Sequence, residues 1–133
     1  MTDAAPAWPA PIFAISVFTD DLPATSQFYS TVFGLPVEFG DEESALFKFP
    51  NVYINVLAAT AAPELIEPLP VAPASAGARV QFTINVDNTD ATVATLADLG
   101  VTLLNGPVDR PWGVRTATFQ DPGGHVWEIA SSI

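Results

Sequence analysis

The feature that most restricts what this chain can fold into is an internal repeat. Residues 12–57 and 79–130 each read as strand, helix, strand, strand, strand, and a duplicated unit sets the architecture before any single residue is weighed. The first copy opens with "IFAISVFT" (12–19). Phe13, Ile15 and Val17 fall on one face and Ile12, Ala14, Ser16 and Phe18 on the other, which is the period of a strand. "DDLPATSQFYSTVFG" follows as a helix, with Asp21 placed to cap it, Pro23 suited to its first turn and Gly34 to its end. Thr25, Phe28, Val32 and Leu35 form its apolar stripe. "PVEFGD", "SALFKF" and "VYINVL" complete the module, with turns at Gly40–Asp41 and Pro50–Asn51.

The second copy is cleaner. In "RVQFTINV" (79–86), Val80, Phe82, Ile84 and Val86 face one way and Gln81, Thr83 and Asn85 the other. "DNTDATVATLADLG" is a helix capped by Asn88 or Thr89, with Val93, Leu96 and Ala97 inward and Gly100 as its stop. "VTLLNG", "VRTATFQ" and "HVWEIA" supply three more strands. Between the copies, residues 58–78 are rich in Ala and Pro and hold no stable period, so they read as a linker from which Leu65, Ile66 and Leu69 can dock on the body. Each sheet can cover one face with its helix and leave the other open. The expected fold is α+β: a single domain of two tandem βαβββ modules forming an eight-stranded, cup-like sheet with the helices on its outer face, wide enough for one small ligand. Pairing of the modules within a chain or between chains satisfies the pattern equally.

Composition narrows the partners. Only Lys48, Arg79, Arg110 and Arg115 are basic against fifteen acids, a net charge of −11. A phosphate backbone is bound by Lys and Arg that displace its counterions, so no nucleic-acid partner is expected. Excess acid either attracts a cationic ligand or serves solubility; the run "GDEES" (40–44) reads as a solvated hairpin tip. No apolar run approaches the roughly 20 residues of a membrane helix. The start "MTDAAPAWPAP" lacks the basic region and apolar run of a signal peptide, so a cytoplasmic protein without a membrane partner is expected. The absence of Cys removes thiolate metal sites and Cys nucleophiles.

Two stretches, "TDDLPATSQFYSTVFGL" and "FQDPGGHVWEIA", resemble the D-L…F-Y…L-G and D-P-x-G-x-x-x-E signatures of the vicinal oxygen chelate superfamily, which includes glyoxalase I, extradiol dioxygenases and the bleomycin and fosfomycin resistance proteins. The likeness spans about residues 12 to 130. It implies the fold above, a homodimer to which the arm "AAPAWPAP" can contribute, and a small organic molecule in the cup. It also implies where a metal would sit in metal-dependent members: the first and last strand of each half, here Ala14, Asn55, Gln81 and Glu128. Ala14 has no donor and Asn55 is a weak neutral one, whereas a catalytic zinc takes three good ligands and an iron oxygenase two His and a carboxylate. The single histidine, His125, lies three residues from Glu128, so the two point to opposite faces of a strand. No metal and no cofactor are expected.

The faces away from the helices should then line the cup: Ser16, Tyr53, Asn55, Gln81, Thr83 and Glu128, groups that orient a ligand by hydrogen bonds. Trp112, in the loop Pro111–Trp112–Gly113, can stack on a planar or cationic ligand or pack as core, and Arg115 follows it on the next strand. Trp127, of opposite parity to Glu128, belongs to the core. "PGGH" (122–125) is neither a P-loop nor a dinucleotide fingerprint and reads as a hairpin turn. Glu128 has three readings: a general base, an anion paired with a ligand, or a carboxylate tied to Arg115, Gln81 or a buried water. The sequence favours a metal-free small-molecule binder of the glyoxalase/bleomycin-resistance type that sequesters a cationic or aromatic ligand. The alternative is a divalent-metal-dependent lyase, isomerase or dioxygenase using Gln81 and Glu128.

Overall fold

The computed structural model describes residues 8–133; residues 4–7 of the Pro-rich arm lie outside the described residues, and Trp8 is exposed. The first module runs β1 (Ala14–Thr19), α1 (Leu22–Val32), β2 (Val37–Gly40), β3 (Ser44–Lys48) and β4 (Tyr53–Ala58). In the linker a single helical turn, α2 (Pro63–Ile66), precedes a short 3₁₀ turn at Ala74–Ala76. The second module runs β5 (Gln81–Asn85), α3 (Thr89–Asp98), β6 (Leu103–Asp109), β7 (Val114–Gln120) and β8 (Val126–Ser132). The α+β class, the tandem modules and the eight strands are those the sequence predicts. The strands are hydrogen-bonded as two sheets of four, in the equivalent orders β1-β4-β3-β2 and β5-β8-β7-β6. Among the described residues no helix is long and apolar enough to cross a membrane.

The helices start where their caps dictate. Asp21 accepts from the Ala24 amide at 3.0 Å and Asn88 from the Ala91 amide at 2.9 Å, each satisfying an orphan N–H of a first turn. The "GDEES" run is the hairpin tip expected, with Asp41 accepting from the Glu43 and Ser44 amides. Those bonds, that from Glu43 first, hold its carboxyl below the usual range.

One hydrophobic core serves both modules. Val17, Tyr29, Phe47, Ile54 and Val56 of the first module pack in a single cluster with Leu96, Ala117, Phe119, Trp127 and Ile129 of the second. The helix-bearing faces of the two sheets therefore turn towards each other. Phe33, the residue that caps the end of α1, meets Trp127 at 4.7 Å between ring centroids and Phe28 of α1 meets Phe119 at 6.2 Å, while Phe49 stacks directly on Trp127 at 5.4 Å. Burial of each such ring contributes about 1.5–3 kcal/mol.

At the centre of this seam the two signature stretches meet. The Tyr29 hydroxyl donates to Asp121 Oδ2 at 2.8 Å across 92 residues of chain. Asp121 Oδ1 accepts from the Gly123 amide at 2.9 Å and the His125 amide at 3.0 Å, and the His125 ring closes on the same carboxylate. Burial pushes the Tyr29 phenol far up, and the charge and hydrogen bond of Asp121 push it further, so it remains a donor. The "DPGGH" turn is thus a structural knot that fastens one module to the other.

Two expectations change. Leu65 and Leu69 stay exposed and only Ile66 of the linker trio is half-buried. On α3 it is Thr89, not Ala97, that turns inward: its hydroxyl donates to the Arg115 carbonyl at 2.7 Å and lies 2.7 Å from the Ser131 hydroxyl.

Candidate functional site

The polar faces of the two sheets look outward. On the second sheet, strand register puts Thr83 and Thr118 on either side of Glu128, and Gln81 and Gln120 on either side of Val126. The Thr83 hydroxyl donates to Glu128 Oε1 at 2.9 Å. Gln81, Thr83 and Asn85 are exposed and Glu128 is half-buried. Glu128 is therefore a carboxylate steadied by one hydroxyl and open to solvent. Among the described residues it has no ion-pair partner.

Thr118 is the residue the sequence reading missed. It is buried, and its hydroxyl has no hydrogen-bond partner among the described residues. Applying the alternation rule to "VRTATFQ" as well as to "HVWEIA" finds it, because β7 pairs antiparallel with β8. Beside it, Arg110 lies over Thr116, donating from Nε to the Thr116 hydroxyl at 3.0 Å and from Nη2 to Asn105 at 3.2 Å.

The first sheet offers a different surface. Ser16 pairs with Asn55 in register, and the Asn55 amide approaches the Ser16 hydroxyl at 3.4 Å. Tyr53 packs against Phe13 with ring centroids 4.9 Å apart. Phe39 and Leu46 share this face through their pairing with Asn55, and Phe13 and Phe39 are largely exposed. Ser16, Tyr53 and Asn55 are thus grouped together, as are Gln81, Thr83 and Glu128. The two groups lie on the outer faces of different sheets and do not meet within one chain.

Two expected ligand contacts sit apart. Arg115 pairs in register with Ser131, on the opposite face of β7 from Thr118. A one-residue change of parity moves a side chain through the sheet. Its guanidinium donates to Asp90 at 2.9 Å and to Asp109 at 3.0 Å, bonds that hold it still more firmly charged, Asp90 contributing most. Arg115 is a surface clamp on α3 and touches neither Glu128 nor its neighbours. Trp112 is 71% exposed in the turn before β7, so it is not core. Val114 and Thr118 are four positions apart, about 13 Å along the strand, which places Trp112 at the far rim.

The metal positions implied by the resemblance are tested by the same geometry. Ala14 and Asn55 are on one sheet, Gln81 and Glu128 on the other, and only Glu128 is anionic. His125 is buried on the core side against Asp121, as its parity predicts. Among the described residues no three His, Asp or Glu side chains converge. This donor set does not fit a catalytic divalent ion, which takes three good protein ligands.

Tandem βαβββ modules, each with an open sheet face, are the fold of the vicinal oxygen chelate class. A family model of the Glyoxalase/Bleomycin resistance protein/Dioxygenase superfamily matches residues 12–129, and the chain belongs to that superfamily. It is 28% identical over 122 residues to the protein YraH of Bacillus subtilis (strain 168), covering 89% of this chain and 95% of that one. A crystal structure of a glyoxalase/bleomycin resistance protein/dioxygenase from Nocardioides superposes with a TM-score of 0.81 at 25% identity, over 99% of this chain and 87% of that one. A lactoylglutathione lyase from Agrobacterium tumefaciens superposes with a TM-score of 0.74 at 21% identity, over 92% and 94% of the two chains, a likeness of fold. Members of the superfamily bind small molecules and often dimerise.

Proposed function

We propose that the protein is a metal-independent small-molecule binder of the glyoxalase/bleomycin-resistance type, and that its ligand is an organic cation with an aromatic part. The observation that carries this reading is the environment of Glu128. Among the described residues it is a carboxylate without a cationic partner, steadied by Thr83 on one side, with the neutral Thr118 on the other and Gln81 and Gln120 beside Val126, two residues along the strand. An anion with neutral neighbours complements a ligand cation, and partial burial strengthens a charge-assisted hydrogen bond. The acidic surface raises the local concentration of such a ligand.

A second copy completes the site in this reading. The outer face of the first sheet, with Ser16, Asn55, Tyr53 and the exposed rings Phe13 and Phe39, closes over the Glu128 face of its partner. The ligand's aromatic part then has apolar surface on one side and hydrogen-bonding groups on the other, the usual division of labour in a small-molecule site. Capture in such a pocket without turnover is a sequestering function, the basis of an antibiotic-resistance role.

Thermal denaturation with a panel of aromatic amidines and quaternary ammonium compounds tests the reading. The expected result is a saturable stabilisation, about 2.7 kcal/mol at a hundred times the dissociation constant. Glu128→Gln should weaken binding roughly ten- to a hundredfold, the equivalent of one charge-assisted hydrogen bond. Elemental analysis of the freshly purified protein should find no stoichiometric transition metal. A tightly held zinc, nickel, iron or manganese ion lost on Glu128→Gln, with a chelator-sensitive turnover, overturns the proposal in favour of a metal-dependent enzyme.

A further inference from the structure

A second recessed region lies at the junction of the two modules, away from the Glu128 face. It is a groove of about 200 Å³ between β1, the linker at residues 70–72 and the start of the second module. Ile15, Val17, Phe18 and Val71 give it apolar walls, and Arg79 and His125 are its ionisable groups. The two differ in what they leave unpaired.

His125 is held by Asp121, whose two carboxylate oxygens lie 2.9 and 3.0 Å from Nδ1. A carboxylate only accepts, so Nδ1 donates to it, and the tautomer with its proton there leaves Nε2 as an acceptor. Nε2 makes no hydrogen bond among the described residues. Arg79 donates from Nη1 to the Ala72 carbonyl at 3.0 Å and from Nη2 to the Gly123 carbonyl. Both partners are neutral, and among the described residues no carboxylate forms an ion pair with it. Its Nε–H is buried without an acceptor. A half-buried guanidinium served only by carbonyls is undercompensated, and an anion is its complement.

We propose that this groove is a binding site for a small aliphatic 2-hydroxycarboxylate. The carboxylate sits on the Arg79 guanidinium, the hydroxyl donates to His125 Nε2, and the carbon chain lies against Ile15, Val17 and Val71. The volume sets the size: sites for drug-sized molecules run from roughly 300 Å³ upward, so a compound of few heavy atoms is what fits. The linker forms one wall and is tied by Arg79 to the "DPGGH" turn, so the same guanidinium that meets the ligand fixes the position of that wall.

His125 is the only histidine, so its ring Cε1–H gives one assigned signal in a proton–carbon spectrum without labelling of a second site. At constant pH, titration with 2-hydroxy-4-methylpentanoate should move this signal saturably. 4-Methylpentanoate, lacking the hydroxyl, should bind about tenfold more weakly, the equivalent of one hydrogen bond. The corresponding hydroxyamide should produce no saturable shift, and neither should the cation benzamidine, which separates this groove from the Glu128 face. Val71→Trp fills the groove from the linker side and should abolish the response; Arg79→Met should weaken binding at least about tenfold. A signal that stays still to about 50 mM hydroxyacid, or that moves equally with the amide, overturns the assignment. So does a response that survives both Val71→Trp and Arg79→Met.

Discussion

Asp121→Ala is expected to lower stability by about 4 kcal/mol, a fall in the thermal midpoint of roughly 12 °C for a domain of this length. Four donors converge on this buried carboxylate: the Tyr29 hydroxyl, the Gly123 and His125 amides and the His125 ring. Alanine strands all four in a site that water does not reach, and an unmet buried donor costs about 1–3 kcal/mol before relaxation. The single-bond variant calibrates the sum. Tyr29→Phe keeps the ring packed on Phe47 and Trp127 and removes only the hydroxyl, so about 1–1.5 kcal/mol is expected. Asp121→Asn, which retains an acceptor for the turn amides, should fall between the two. Chemical denaturation of the three variants checks the order. If Asp121→Ala costs no more than Tyr29→Phe, the turn amides find other partners and the knot is not the joint between the modules.

This knot also shows what was legible in the sequence. The caps Asp21 and Asn88 were readable because a short side-chain acceptor before an apolar period has one common use. Strand β5 was readable because Gln81, Thr83 and Asn85 alternate cleanly with Phe82 and Ile84. Tyr29 was not readable as the centre of the core. Phe28 and Tyr29 are adjacent aromatics, and helical periodicity does not tell which of two neighbours faces a second module 92 residues away. Thr89 was hidden for a related reason: it is inside because of the Arg115 carbonyl and the Ser131 hydroxyl, partners that no hydropathy pattern encodes. On the candidate site, parity grouped Gln81, Thr83 and Glu128 correctly on one face. It would equally have rejected Arg115 and recovered Thr118, had β7 been laid beside β8 in register. How the faces of the two sheets are turned relative to each other was beyond the sequence, since that depends on which apolar face each helix shares.

Gly106→Ala is the second large effect, and it reaches the candidate site through the backbone. Gly106 lies where β6 changes register against β7, between Asn105 and Val108. Its φ is +87°, and a Cβ there would stand 2.5 Å from the Thr116 carbonyl oxygen and 2.8 Å from the Ala117 Cα. Both obstacles are main chain of a central strand, so no rotamer change relieves them. Gly113 has a similar φ of +91° but nothing within 4 Å of such a Cβ. It therefore isolates the conformational part of the cost, about 1–2 kcal/mol for an L-residue in the left-handed region. Gly106→Ala should cost at least about 3 kcal/mol, since the clash adds to the strain. Relief comes only if β6 lifts from β7, which takes Asn105 and Arg110 away from Thr116 and opens the buried hydroxyl of Thr118 next to Glu128. The expected signature is a thermal midpoint lowered by roughly 10 °C, with amide-exchange protection lost along β6 and β7 but kept at α1 and β4, and with weakened binding of the cationic probes. Gly113→Ala should leave both the protection pattern and the probe affinity as they are. Equal costs for the two variants would mean that β6 is free to move off β7 at little expense, and the cover over Thr116 and Thr118 would then be no fixed part of the Glu128 face.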